Sequence, residues 1–142
     1  MRHRSFLLLS ALLSLLAGCA TPVADSSETA VRHVRLTETA RLSSLAVTPT
    51  RLIEDSRCPT GVVCIQAGTV RVEAQVSDGL GPRTFILPLG VPVELDGGWA
   101  KLVRVCPYPV HGSPIRTNDY LFSIAMTTLG VPQVAVSSDC HG

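Results

Sequence analysis

Cysteine is the residue type with the most chemistry to offer in this chain. Of the five cysteines, Cys19 closes an apolar N-terminal run, and Cys58, Cys64, Cys106 and Cys140 lie in the body of the sequence. In a domain exported to an oxidising compartment, an even number of cysteines predicts disulfides, with three possible connectivities for four cysteines. The pair Cys58–Cys64 is the easiest to close because only five residues separate its members. The pair Cys106–Cys140 then follows by elimination.

Metal binding is the competing use of these cysteines. The chain has no C-x-x-C pair and no two histidines within four residues of each other, so the spacings typical of zinc sites are missing. A copper or zinc site would draw on His33, His111 and His141, with Cys106 or Cys140. We therefore expect neither a metal nor a cofactor, and we keep a periplasmic copper- or zinc-binding protein as the alternative.

The residues with acid–base or nucleophilic chemistry form no recognisable catalytic motif. The sequence contains no G-x-S-x-G, no H-E-x-x-H and no glycine-rich phosphate loop. Glu54 and Asp55 are adjacent, so on a strand they would point to opposite faces and could not act on one substrate as a pair. A cysteine nucleophile with His111 is conceivable, but Cys106 is expected to be bonded to another cysteine. We therefore expect that the chain is not an enzyme.

The first 18 residues have the pattern of a secretory signal peptide. Arg2 and Arg4 form a positive start, and Phe6–Ala17 is an apolar run interrupted by two serines. As a helix with a rise of about 1.5 Å per residue, this run is too short to span about 30 Å of hydrocarbon. Its ending, Leu16-Ala17-Gly18-Cys19, resembles the bacterial lipobox, whose cysteine receives a diacylglycerol and becomes the first residue after cleavage.

The lipobox resemblance implies a lipoprotein whose Cys19 carries fatty acyl chains such as palmitate. Two or more acyl chains hold a protein firmly on a membrane, at about 0.8 kcal/mol for each buried methylene. In such proteins, alanine rather than aspartate after the cysteine implies sorting to the outer membrane, and Ala20 stands at that position. The expected location is therefore the cell envelope, with the chain facing the periplasm.

The charge balance argues against nucleic acid as a partner. The whole chain has 12 Lys+Arg against 11 Asp+Glu. Removal of Arg2 and Arg4 with the signal peptide leaves ten basic residues and a net charge of −1. Nucleic-acid-binding domains need a basic surface, and the five aromatic residues that remain are few for stacking sugars or unpaired bases.

Short β-branched runs separated by turn residues predict an all-β domain. The clearest strand is Val70–Val76, whose alternation places valines and Ala74 on one face and polar residues on the other. Asp78-Gly79 then predicts a turn into a partner strand. Further runs lie at 31–36 (ambiguous as a strand), 42–53 with a bend or an edge at Pro49, 83–89, 91–95, 99–106, 120–127 and 131–136.

Ten prolines and eleven glycines separate these seven or eight runs. This spacing favours an antiparallel β-sandwich, Ig-like or small barrel-like. Within 99–106 the alternation places Ala100, Leu102, Arg104 and Cys106 on one face, and within 120–127 it places Tyr120, Phe122, Ile124 and Met126 together. We divide the chain into a signal peptide (1–18), a lipidated N-terminus and tether (19–28) and a β-sandwich domain (29–142).

One segment resembles a recurrent pattern in short, uncharacterised exported bacterial proteins, E-D-S-R-C-P…V-x-C-[IV]-W-A-G. The match consists of Glu54-Asp55-Ser56-Arg57-Cys58-Pro59 and Val63-Cys64-Ile65-Gln66-Ala67-Gly68, with Gln66 where the group usually has tryptophan. Tyr108-Pro109, Pro114-Ile115 and Asp119-Tyr120 match later parts of the pattern. The resemblance covers roughly residues 40–127. It implies a β-rich fold and an exported location and carries no activity.

The charged residues of this segment have two interpretations. A disulfide across five residues would hold Glu54, Asp55 and Arg57 rigidly, so they would form a recognition loop with Arg57 as the anchor for a partner. Alternatively, Arg57 forms an internal ion pair with Asp55 or Glu54 that only seats the loop. Charge reversal at Arg57 separates the two.

Size, anchor and fold class together favour a non-enzymatic binding or structural module of the envelope. The expected partner is another envelope protein or a foreign hydrolase, because small disulfide-linked lipoproteins sometimes inhibit lysozymes or proteases. This expectation rests on analogy at the level of the fold.

Overall fold

The domain is a sandwich of two four-stranded antiparallel sheets. The computed structural model describes residues 29–140, so the predicted signal peptide, Cys19 and His141 lie outside the described residues. One sheet has the strand order β1-β8-β7-β6 and the other the order β2-β3-β4-β5. The strands are β1 (Thr29–Val34), β2 (Ala40–Leu42), β3 (Leu45–Asp55), β4 (Val70–Ser77), β5 (Pro82–Pro88), β6 (Pro92–Leu95), β7 (Gly98–Cys106) and β8 (Leu121–Thr127). The predicted all-β sandwich is confirmed, and within residues 29–140 neither sheet closes into a barrel.

Alternation of apolar and polar residues gives β4 one face in the core and one face in solvent. Val70, Val72, Ala74 and Val76 are all at most 1% exposed, as the sequence pattern predicts. On the outer face, Glu73 accepts from Arg51 of β3 at 2.9 Å. The strand lies between β3 and β5 and forms backbone hydrogen bonds with both.

The core between the sheets is centred on β8. Phe122, Ile124 and Met126 are fully buried, and the ring of Tyr120 stacks on that of Phe122 with 5.9 Å between centroids. Ser123, on the outer face of β8, is also buried. Its hydroxyl is hydrogen-bonded to His33 of β1 and to Arg104 of β7. The complete core cluster comprises Ala30, Val34, Ala40, Leu42, Leu45, Val47, Val70, Val72, Ala74, Val76, Leu87, Leu95, Ala100, Leu102, Val105, Tyr120, Phe122, Ile124 and Met126.

A β-bulge corrects the predicted faces of β7. The register with β8 shifts between Leu102 and Arg104, so the residues before and after the bulge alternate out of phase. Ala100 and Leu102 face the core, but beyond the bulge Val105 belongs to the core, so Arg104 and Cys106 do not share the face of Ala100 and Leu102 as predicted. A bulge inserts one extra residue and turns the following side chains to the other face.

The run 131–136, predicted as a last strand, is not a strand. After Thr127 the chain runs alongside β7 as an irregular segment to Cys140. The Ser137 amide donates to the Val103 carbonyl at 2.9 Å, and the Lys101 ammonium donates to the Val134 carbonyl at 2.9 Å. Because isolated hydrogen bonds hold this segment, it lacks the regular series of backbone hydrogen bonds that would make it a strand.

The strand pairing gives the sandwich two distinct ends. The N-terminal end contains Thr29, which pairs with Thr127, together with the turns 43–44, 78–81 and 96–97 and residues 128–131. The loop end contains the connections 35–39, 56–69 and 107–120. Strand β8, which runs between the two ends, has seven residues and therefore spans about 20 Å at about 3.3 Å per residue.

Both cysteine pairs expected from the sequence are bonded. Cys58 and Cys64 have Cα atoms 5.9 Å apart and a sequence separation of 6. Cys106 and Cys140 have Cα atoms 5.6 Å apart and a separation of 34. The second bond ties the irregular C-terminal segment to the end of β7.

The two disulfides should differ in their contribution to stability. In the chain-entropy treatment, a closed loop of about 35 residues stabilises by about 4 kcal/mol and one of about 7 residues by about 2 kcal/mol. Cys106→Ser/Cys140→Ser should therefore lower the free energy of unfolding about twice as much as Cys58→Ser/Cys64→Ser does. Urea unfolding of the two variants measures both decreases. Equal losses would mean that chain entropy does not govern these bonds.

Candidate functional site: the closed loop

The candidate site is the connection between β3 and β4, residues 56–69, which we call the closed loop. At its base, the Ser56 amide donates to the Thr69 carbonyl at 2.8 Å, and the Thr69 amide donates to the Ser56 hydroxyl at 3.0 Å. Nearer the tip, the Cys58–Cys64 disulfide closes the loop a second time. The loop is thus fixed at two levels.

Glycine is required where the two arms of the closed loop meet. A Cβ added to Gly68 would lie 1.5 Å from the Ser56 carbonyl oxygen, which no side chain tolerates. Gly68 therefore allows the close backbone approach that the base of the loop needs. This explains the glycine that ends the sequence pattern 54–68.

A buried ion pair seats the loop on the domain. The side chains of Arg57 and Asp55 are 5% and 8% exposed, respectively. Their contact is bidentate, since Nε of Arg57 donates to Oδ1 of Asp55 at 2.8 Å and Nη2 donates to Oδ2 at 2.6 Å. The parallel geometry of guanidinium and carboxylate makes this one of the stronger kinds of polar contact.

The same pair connects the two sheets at the loop end. Asp55 ends β3 in one sheet, and Arg57 donates to the carbonyls of Val105 and Pro107 at the end of β7 in the other. The Tyr120 hydroxyl, just before β8, donates to Oδ2 of Asp55 at 2.9 Å. The ring of Tyr108 lies 5.3 Å from the guanidinium carbon of Arg57, within the range of a cation–π contact.

Burial and charge act in opposite directions on this cluster. Burial favours the neutral form of Asp55, but the hydrogen bonds and charge of Arg57, with the Tyr120 hydroxyl, outweigh it and hold the pKa of Asp55 below its ordinary value. Burial, followed by the hydrogen bond to Asp55 and its charge, raises the pKa of Tyr120 to about 12. At neutral pH the cluster is therefore an ionised pair with a neutral phenol.

These contacts decide the arrangement of the three charged residues predicted as a partner-binding group. The ion pair expected under the alternative interpretation is present, and Arg57 is buried with its donors used internally. Glu54 points away from Asp55, as adjacent strand residues must, and accepts from the Ser56 hydroxyl at 2.9 Å. Glu54, Asp55 and Arg57 therefore do not form an exposed charged display, because burial of a guanidinium requires that its donors be satisfied within the protein.

The closed loop exposes large apolar side chains, which the sequence analysis did not anticipate. The side chains that flank Cys64, namely Val63 and Ile65, are 99% and 107% exposed. Two β-branched residues on either side of a disulfide cysteine, in a loop too short to cover them, are the signal that could have identified this tip. We call Val63 and Ile65 the apolar tip.

A cleft of about 250 Å³ separates the closed loop from the C-terminal segment. Arg57 and Tyr108 lie in it, and most of the remaining wall is apolar. A ligand in this cleft would meet a guanidinium whose strongest bonds already go to Asp55. The remaining lining residues are Cys58, Ala67, Gly68, Leu89, Val105, Val136, Ser137 and Ser138.

Among the described residues, which do not include His141, the structure does not bring together those of the metal and thiol alternatives. Cys106 and Cys140 are bonded to each other, so neither is free as a ligand or a nucleophile beside His111. His33 lies on β1 with Nδ1 2.8 Å from the Ser123 hydroxyl, whereas the backbone of His111 is bonded to Thr60 at the loop end. Among residues 29–140, no group of three His, Cys, Asp or Glu is placed to hold a metal ion.

Comparison with known proteins adds no relative. The chain matches no protein-family model, no curated protein and no solved structure. In the part of the chain that the structure describes, no helix has the length and apolar character needed to cross a membrane.

Breaking the buried ion pair should destabilise the domain strongly. Replacing Arg57 with glutamine leaves Asp55 buried without its cation, which typically costs about 3–5 kcal/mol. The matched control is Arg116→Gln, which breaks an exposed pair with Asp119 and should cost less than about 1 kcal/mol. Thermal unfolding measures both. An unchanged melting temperature for Arg57→Gln together with weaker partner binding would instead support the anchor role of Arg57.

The Tyr120 hydroxyl should give the stability an alkaline dependence. Because the folded state holds the phenolic proton more tightly, the contribution of the Tyr120 hydroxyl to the free energy of unfolding is complete below the unfolded pKa of about 10. It is lost as the pH rises through about 12. The free energy of unfolding of Tyr120→Phe should be lower by about 2 kcal/mol at neutral pH, since the lost hydrogen bond goes to a charged acceptor. Between about pH 10 and pH 12, the free energy of unfolding of this variant should fall less steeply than that of the unchanged chain. Chemical unfolding at a series of pH values tests this, and an unchanged slope would contradict it.

Proposed function

We propose that this chain is a cell-envelope lipoprotein, anchored through Cys19 in the outer membrane, whose periplasmic domain binds another protein through the closed loop. The proposal is non-enzymatic. The observation that carries it is the apolar tip, Val63 and Ile65, at 99% and 107% exposure on a loop closed by a disulfide and seated by a buried ion pair. Large apolar side chains held clear of the surface mark contact sites.

Rigidity is what makes this tip suited to binding. Association costs the conformational freedom of the loops that become ordered, and a loop fixed in advance avoids much of that cost. The base hydrogen bonds, the disulfide and the contacts of Arg57 all restrict the closed loop before any partner arrives. The free energy of contact would come from burying Val63 and Ile65 in an apolar pocket of the partner.

The apolar tip lies at the end of the sandwich opposite to the point where the described chain begins. The described chain starts at Thr29, at the N-terminal end of the sandwich, and the closed loop lies at the other end, about 20 Å away along β8. A domain attached to lipid through residues 19–28 can present this end to periplasmic proteins. A protruding loop also fits a concave cleft, so a foreign hydrolase such as a lysozyme or a protease is the narrower form of the proposal.

Site-specific crosslinking in cells tests the proposal. A photoreactive amino acid at position 65 should form a protein adduct in the envelope, whereas the same amino acid at Thr84, exposed on β5, should not. Val63→Ser/Ile65→Ser should remove binding to the captured protein by at least about tenfold, since each buried aliphatic side chain contributes about 1.5–3 kcal/mol. Its melting temperature should stay that of the unchanged chain, because the tip makes no core contact.

Two outcomes would overturn the proposal. One is equal adduct formation at positions 65 and 84, and the other is binding that survives the double substitution. The proposal that the partner is a hydrolase is tested by adding the chain at micromolar concentration to a panel of lysozymes and proteases and measuring inhibition. Full hydrolase activity would exclude a hydrolase partner. The proposal of an envelope partner would then be decided by the crosslinking result.

A further inference from the structure

The N-terminal end of the sandwich carries a second apolar surface. Leu80, at the tip of the β4–β5 turn, is 81% exposed, and Leu129, just after β8, is 62% exposed. Val131 follows at 40% exposure. We call Leu80, Leu129 and Val131 the apolar rim.

Part of the apolar rim lies next to the point where the described chain begins. Thr29 pairs with Thr127, two residues before Leu129. The turn that carries Leu80 belongs to the opposite sheet and lies at the same end, because Asp78 contacts the β6–β7 turn: a Cβ on Gly97 would lie 3.4 Å from that of Asp78. Both sheets thus contribute apolar residues to one end.

The charged side chains at the two turns of this end pair with one another, and those of Arg83 and Asp96 are 45% and 46% exposed. The side chain of Asp78 is 0% exposed, pairs with Arg83 at 2.8 Å and accepts from the Leu80 amide at 3.2 Å. Arg83 also pairs with Asp96 of the next turn. The Asp78 carboxylate is therefore directed inward, and the outermost residues of the β4–β5 turn are Gly79-Leu80-Gly81. The segment Thr128–Pro132 has no charged residue.

The turn tips that carry leucines at this end are uncharged, and the carboxylate of Asp78 is buried. Uncharged, leucine-bearing tips can approach the interface of a bilayer at a lower desolvation cost than exposed charges can.

We propose that the apolar rim contacts the lipid surface in which Cys19 is anchored, so that the domain stands on the membrane by its N-terminal end. This inference rests on the lipid anchor of the proposed function. About ten residues separate Cys19 from Thr29, so Thr29 lies within about 35 Å of the anchor even at full extension. The anchor keeps the rim at a high effective concentration next to the bilayer, where exposed leucines partition into the interface.

The size of the rim favours lipid over a second copy of the chain. A stable dimer buries about 800 Å² on each partner, which three separated side chains on turns do not supply. Shallow insertion needs only a few apolar side chains when an acyl anchor already holds the protein.

The single tryptophan reports this contact. Trp99 is the only tryptophan, is partly exposed and pairs with Thr127 at the N-terminal end. The lipidated chain, reconstituted in vesicles whose phospholipids carry brominated acyl chains, should lose Trp99 emission relative to vesicles of unbrominated lipid. Leu80→Ser/Leu129→Ser should reduce that loss. The matched control Val63→Ser/Ile65→Ser, at the opposite end, should show the full loss.

Anchoring is measured separately, by the intact mass of the chain and by flotation with the vesicles. Missing acyl chains on Cys19 would refute the anchor of the proposed function, and the orientation with it. A lipidated, floating chain whose Trp99 emission is unaffected by bromine would refute the lipid contact alone. An equal loss in the Leu80→Ser/Leu129→Ser variant would also refute a contact through the rim.

Discussion

The ion pair between Asp55 and Arg57 is the interaction on which the loop end of this domain depends. A guanidinium and a carboxylate this deeply buried are tolerated only when each is paired and hydrogen-bonded. Arg57 meets the requirement with acceptors from both sheets, and Asp55 meets it with Arg57 and Tyr120. The need to satisfy two buried charges therefore brings the end of β3, the end of β7 and the start of β8 to one place.

The closed loop divides its residues between support and display. The charged residues, both cysteines and Gly68 are used to hold its shape, through the ion pair, the disulfide and the close approach to Ser56. Val63 and Ile65 are the large apolar side chains that the loop leaves almost fully in solvent. Recognition by this loop would accordingly rest on apolar burial, and its charges would serve stability.

The two ends of the sandwich differ because the strands alternate in direction. The chain enters at Thr29, and antiparallel pairing sends the connections 43–44, 78–81 and 96–97 back to that same end. The long connections 56–69 and 107–120 gather at the other. A lipid anchor at the N-terminus and a binding loop at the opposite end are thus compatible in one small domain, which is what the proposed orientation requires.

The sequence by itself determined the features that depend on neighbours along the chain. The alternation in Val70–Val76, the turn at Asp78-Gly79, the all-β class and the presence of two disulfides follow from period, turn chemistry and parity, whereas four cysteines still allow three pairings. Only the tertiary structure decided the bulge after Leu102, the irregular path of 131–136 and the burial of Arg57. The backbone carbonyls that accept from Arg57 lie 48 and 50 residues away in sequence. The exposure of Val63 and Ile65 is likewise set by what the rest of the fold leaves uncovered. Local pattern reports which face a residue could take, whereas contacts between distant segments decide which polar groups are satisfied and which apolar ones stay in solvent.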